Sequence, residues 1–124
     1  MMIKDNPFLG KGVGTFMNNL VKYDVAPGYQ YAHNCYLQIW AESGIFALLG
    51  FLWLIIYVFY EGIKCFIKNK DYLLLGVLSG LLAFLLHSFF DTCLYSLQLA
   101  VLFWLMLGFA VAITRLNPVS VNKN

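Results

Sequence analysis

Three stretches of the chain are apolar with almost no interruption. Positions 44–60 hold no charged residue, 72–90 hold only His87, and 94–113 hold none. Each comes close to the ~20 residues that a helix needs to cross hydrocarbon. The pattern predicts one helix over about 34–60, a second over 72–90 and a third over 94–113. Asn34 supplies an N-cap for the first. Positions 61–71 read as a connecting loop, 91–95 as a tight turn, and 117–124 as a disordered tail. Ahead of them, 1–31 is polar and broken by Pro7, Gly10, Gly12, Gly14, Pro27 and Gly28. One short amphipathic helix is expected within 9–23, with Phe16, Leu20 and Tyr23 on one side.

Composition turns this pattern into a class. The 124 residues are 61% hydrophobic and 11% charged, with a mean hydropathy of +0.74. A soluble domain carries roughly twice that charge fraction. The expected fold class is therefore all-α and integral to a membrane, with three transmembrane helices and an extracytoplasmic N-terminal loop. The expected organisation is a loop segment 1–33, a transmembrane region 34–116 and a cytoplasmic tail 117–124. No cleavable signal peptide is visible, because the first thirty residues hold Lys4, Asp5, Lys11, Lys22 and Asp24 and no apolar core. Three helices make a thin bundle for burying polar groups, so the chain reads as the C-terminal part of a larger helical protein.

Charge excludes one partner class and orients the helices. The net charge is +2, with no basic run of the kind that binds nucleic acid. Lys64, Lys68 and Lys70 follow the first helix, Arg115 and Lys123 follow the third, and the turn between the second and third has no cation. The cation-bearing ends belong on the cytoplasmic side, although Lys4, Lys11 and Lys22 reduce the contrast. His33, Asn34, Gln38, Glu42, His87 and Asp91 then meet at the outer membrane boundary. Polar groups from two separate helices at one level are the main argument for a site.

Each of these residues has a structural and a chemical reading. Asn34, Gln38 and Glu42 share one helix face at i, i+4, i+8. Asn34 can simply cap the helix and Glu42 favour its N-terminal dipole. Yet Gln38 and Glu42 sit among Leu37, Ile39, Trp40 and Ile45, where polar groups need partners. His33, with an ordinary pKa of about 6.5, suits proton transfer near neutrality or a structural place in a loop. His87 and Asp91, at i, i+4, either stabilise helix packing or support a site. A metal would need further ligands, and no sequence-close set is apparent, so no metal and no cofactor are expected. The run Gly10-Lys11-Gly12-Val13-Gly14 lacks the strand and the Gly-Lys-Ser/Thr of a nucleotide loop. It forms turns, or brings bare amides beside Lys11 to an anion. Tyr29, Tyr31, Tyr36, Trp40 and Tyr95 are interfacial anchors or sugar-stacking rings. Cys35, Cys65 and Cys93 lack metal spacing and read as small apolar filler. A Cys35–Cys93 disulfide would require both to face an oxidising compartment.

The order Asn6-Pro-Phe-Leu-Gly-Lys-Gly-Val-Gly-Thr-Phe16, then Ala32-His-Asn-Cys-Tyr-Leu-Gln38, then Ala41-Glu-Ser-Gly44 resembles the O-antigen ligase and O-antigen polymerase superfamily. His87-Ser-Phe-Phe-Asp91, followed by Gln98 and a Trp-containing apolar helix, is similar to that family's C-terminal region. The resemblance implies a membrane-embedded glycosyltransferase of the bacterial cytoplasmic membrane. Its members move a glycan from an undecaprenyl pyrophosphate carrier to an acceptor hydroxyl on the outer face, without a nucleotide sugar. The implied partners are a lipid-linked oligosaccharide or polysaccharide donor, a glycan or glycolipid acceptor, and membrane lipid.

The family's external-loop histidine falls on His33, which would polarise or deprotonate the acceptor. Glu42 would hold an acceptor hydroxyl or orient that histidine. Asn34, Gln38, Gly12, Gly14 and Lys11 become candidate substrate contacts, and His87 and Asp91 supporting residues. The family's external arginines, whose planar fork suits pyrophosphate, have no counterpart: the one arginine, Arg115, is expected inside. The competing expectation is a non-enzymatic component, such as a transporter or flippase fragment, with Glu42, His87 and Asp91 lining a pathway. An inert remnant of a broken gene is a third.

Overall fold

The computed structural model describes residues 2–20 and 32–117. Among these, every regular element is helical: α1 (Met2–Asp5), α2 (Phe16–Leu20), α3 (Cys35–Asn69), α4 (Tyr72–His87), a 3-10 turn (Cys93–Tyr95) and α5 (Leu97–Leu116). Tyr23, Tyr29, Tyr31, Pro27, Gly28 and the tail beyond 117 lie outside the described residues. The amphipathic helix expected within 9–23 is the five-residue α2.

The first long helix differs from its expectation at both its middle and its end. It continues to Asn69, through the stretch expected to be loop. Glu61, Lys64 and Lys68 tolerate helix well, and Lys64 lies over the Tyr60 ring at 4.5 Å and near Glu61 at 3.8 Å. The link to α4 is only Lys70 and Asp71. Lys70 adopts φ 54°, its N–H donating to Phe66 O at 2.8 Å, and Asp71 Oδ1 accepts from Leu73 N and Leu74 N. A left-handed C-cap followed at once by an N-cap makes a tight antiparallel hairpin. In its middle, α3 breaks at Gly44, where φ is 83° and ψ 174°. The second helix stops at His87 rather than Phe90, and the third starts at Leu97.

A single apolar seam joins the three long helices. Ile55, Val58 and Cys65 of α3 meet Leu74, Leu78, Leu81 and Leu85 of α4 and Phe103, Leu107, Ala110 and Ile113 of α5. Steps of three, four and seven residues put each set on one stripe of its helix. The opposite faces are also apolar: Trp53, Ile56 and Leu105 are 68%, 67% and 66% exposed. Leaving each such side chain in water forgoes about 1.5–3 kcal/mol, so these faces call for lipid or further helices. α3 and α5 are both long and apolar enough to cross a membrane, while α4, at 16 residues, is shorter.

The two ends of this arrangement differ chemically. At one end Asn69 Nδ2 donates to Asn117 O at 3.1 Å, so α3 and α5 finish together beside Lys68, Lys70 and Arg115. At the other, Cys35 N donates to Ser88 O at 2.9 Å and Tyr36 Oη to Leu85 O at 2.8 Å. His33, Asn34, His87 and Asp91 therefore gather at one end, with Gln38 and Glu42 one and two turns further along α3.

Candidate functional site

Glycine at 44 opens the helix, and residues 7–16 close the gap. A break in an α-helix strands carbonyls and an amide that lose their i→i−4 partners. Here two carbonyls and one amide are taken up by the preceding loop. Lys11 N donates to Ala41 O at 3.0 Å, Gly12 N to Glu42 O at 2.9 Å, and Ile45 N to Pro7 O at 3.0 Å. The loop approaches so closely that a Cβ on Gly44 would collide with the Phe8 carbonyl, and one on Gly10 with the Glu42 carbonyl. Trp40 adds a fourth tie, its Nε1 donating to Pro7 O at 2.9 Å.

Glu42 fastens the same loop with its side chain. The residue is 2% exposed. One carboxylate oxygen accepts from Gly14 N and the other from Phe16 N, both at 2.9 Å. Tyr95, from the 3-10 turn before α5, also hydrogen-bonds this carboxylate; burial, then the charge and hydrogen bond of Glu42, push the Tyr95 hydroxyl well above its ordinary pKa. Thus Glu42 joins three separate parts of the chain: the loop, α3 and the turn into α5.

These contacts revise several expected roles. The amides of Gly12 and Gly14 point at Glu42, so they are not bare donors for a ligand. Lys11 has its amide on Ala41, and its ammonium lies 4.0 Å from Asp5. Glu42 lies two helical turns into α3, about 10 Å along the axis from Cys35, and both of its carboxylate oxygens are taken by loop amides, so it does not orient the His33 imidazole. Asn34 is occupied at both ends, Oδ1 accepting from Leu37 N at 3.0 Å and Nδ2 donating to Phe89 O at 3.1 Å. Its amide caps α3 and ties it to the turn after α4.

Two expected site residues keep polar groups without a hydrogen-bond partner among the described residues. His33 is exposed and holds a left-handed backbone, φ 48°, uncommon for a residue with a side chain though less so for His. Gln38 is 3% exposed, and its Oε1 has no hydrogen-bond partner among the described residues. A buried amide oxygen without a donor costs about 1–3 kcal/mol, so a hydroxyl brought to it would bind favourably. Of the rings expected at this level, Tyr36, Trp40 and Tyr95 spend their polar atoms on the protein itself.

Residues 1–52 match the O-antigen ligase family model. The match agrees with the resemblance carried by 6–16, 32–38 and 41–44. It spans the loop, His33, Gln38, Glu42 and the break at Gly44, and ends inside α3. The O-antigen ligase signature thus coincides with the strapped part of the molecule, while His87, Asp91 and Gln98 lie beyond it. No curated protein and no solved structure matches the chain.

Three features went unforeseen. Gly44 fell inside a helix expected to run unbroken over 34–60, and nothing in its spacing marked it as the dock for residues 7–12. Tyr95 gave no signal beyond its aromatic character. Cys93, expected to be filler, stands beside His87 and Asp91, contrary to the expectation that this pair finds no third ligand.

Proposed function

We propose that this chain supplies the acceptor-side edge of an O-antigen-ligase-type glycan transfer at the outer face of a bacterial cytoplasmic membrane, with His33 as proton acceptor. The observation that carries the reading is the O-antigen ligase match over 1–52, within which His33 stands exposed on a left-handed backbone directly ahead of a doubly bonded cap. Strained backbone persists where the surroundings fix it, and it clusters at functional sites.

In this reaction an acceptor hydroxyl attacks the anomeric carbon of a glycan held on undecaprenyl pyrophosphate. A new C–O bond forms as the sugar–phosphate C–O bond breaks. The hydroxyl proton passes to the imidazole of His33, and the lipid pyrophosphate leaves with the bonding pair. Gln38 Oε1 would accept from a second sugar hydroxyl. Asn34 acts as a positioning residue, since it fixes the backbone next to His33. Glu42 acts in the same way on the loop that walls the site. Lys64, Lys68, Lys70 and Arg115 fall at the far end of the helices, which leaves Lys4 and Lys11 of the N-terminal segment as the described cations on the side of the site. α3 and α5 cross the membrane, and α4, only about 24 Å long at 1.5 Å per residue, crosses with the help of the turn after His87.

The test is transfer of polysaccharide to its acceptor in cells whose sole copy of the gene carries His33→Ala or His33→Asn. Asparagine accepts the left-handed backbone but cannot take the proton, so it separates folding from chemistry. Both variants should accumulate to normal levels and lower transfer about 100-fold or more, the usual scale of a lost general base. Normal transfer by either one contradicts the assignment.

A further inference from the structure

Beyond His87 the chain turns sharply instead of continuing α4. Asp91 N donates to His87 O at 3.1 Å, Thr92 N to Asp91 Oδ1 at 2.7 Å, Tyr95 N to Thr92 O at 2.9 Å and Ser96 N to Cys93 O at 3.2 Å. This backbone folds a nitrogen of His87, a carboxylate oxygen of Asp91 and the sulfur of Cys93 into one cluster, each within 4.8 Å of the other two. The centre of a triangle with that edge lies about 2.8 Å from every corner, and small side-chain rotations close the remainder to the ~2.0–2.3 Å of zinc–ligand bonds. His87 and Asp91 face outward and Cys93 is 3% exposed. An ion would therefore meet the two exposed groups before the buried thiol. One nitrogen, one oxygen and one sulfur suit a borderline cation; magnesium and calcium require oxygen ligands throughout.

We infer that His87, Asp91 and Cys93 form a binding site for a zinc-type divalent cation, with water completing the coordination. The thiol proton of Cys93 is released to solvent as the metal–sulfur bond forms. Burial, reinforced by the nearby Asp91, raises the Cys93 thiol above its ordinary range, so ion binding must displace that proton. The consequence is mechanical. Residues Ser88 and Phe89, between the ligands, accept the bonds from Cys35 N and Asn34 Nδ2 that seat the start of α3. An ion here staples the turn against which α3, and with it the residue ahead of the cap, is held. This site is independent of whether His33 accepts a proton.

The experiment is a cobalt(II) titration of the purified full chain in detergent, with thiols kept reduced. The wild type should bind one equivalent, with a sulfur-to-cobalt charge-transfer band in the near ultraviolet that zinc abolishes. Cys93→Ser should remove the band. His87→Ala and Asp91→Asn should each weaken binding about tenfold or more; both residues are exposed, so neither substitution threatens the fold. Cys65→Ser should leave the titration unchanged. A wild type without the band, a band that survives Cys93→Ser, affinity unaffected by His87→Ala, or equal loss in Cys65→Ser would each overturn the site.

Discussion

Glu42 accepts two main-chain amides through separate oxygens, with the Tyr95 hydroxyl on the same group. Alanine at this position removes the acceptor from two part-buried N–H donors, each a hydrogen bond to a charged group worth about 1.5–3 kcal/mol. Glutamine keeps one acceptor but turns an NH2 toward a donor, so it forfeits one of the two bonds. The expected order of stability is wild type, Glu42→Gln, Glu42→Ala. Trypsin cleavage after Lys11 should quicken in the same order, because Lys11 lies within the segment that Glu42 holds. Equal cleavage rates in all three would show that the loop is held by its backbone bonds alone. His33 and Gln38 stand apart from this group: the first exposes its imidazole, the second buries an acceptor without a donor among the described residues.

At the scale of elements, the break in α3 is the feature on which the site depends. The sequence pattern was sufficient to find three apolar segments, the cap at Asn34 and the motif runs at 6–16, 32–38 and 41–44. It was not sufficient to join 6–16 with 41–44. That contact spans some thirty residues and obeys no period, since it pairs orphaned helix groups with loop amides. The loop expected at 61–71 failed for the reverse reason. Polarity there marked the end of the apolar stretch, while Glu61, Lys64 and Lys68 continue a helix that only the left-handed Lys70 terminates. Gly44→Ala tests the break directly. A backbone at φ 83°, ψ 174° is open essentially to glycine alone and costs another residue about 1–3 kcal/mol, and the alanine Cβ collides with the Phe8 carbonyl. The variant should melt earlier than wild type and expose Lys11 to trypsin. An unchanged melting temperature would mean that the helix closes over Gly44 without loss.

Across the whole molecule, chemistry separates by end. The start of α3 and the turn after α4 carry His33, Asn34, His87 and Asp91, whereas Lys68, Lys70 and Arg115 cluster where α3 and α5 finish. The broad apolar faces between the ends, with Trp53 and Leu105 outward, fit lipid or neighbouring helices. Orientation of this axis across the bilayer decides whether the proposed chemistry has access to an extracytoplasmic acceptor. Single cysteines introduced at His33 and at Lys70, in a chain whose native cysteines are replaced by alanine, report it in intact spheroplasts. A membrane-impermeant maleimide should label position 33 at once and position 70 only after permeabilisation. Labelling of position 70 in intact cells with position 33 protected would contradict the account.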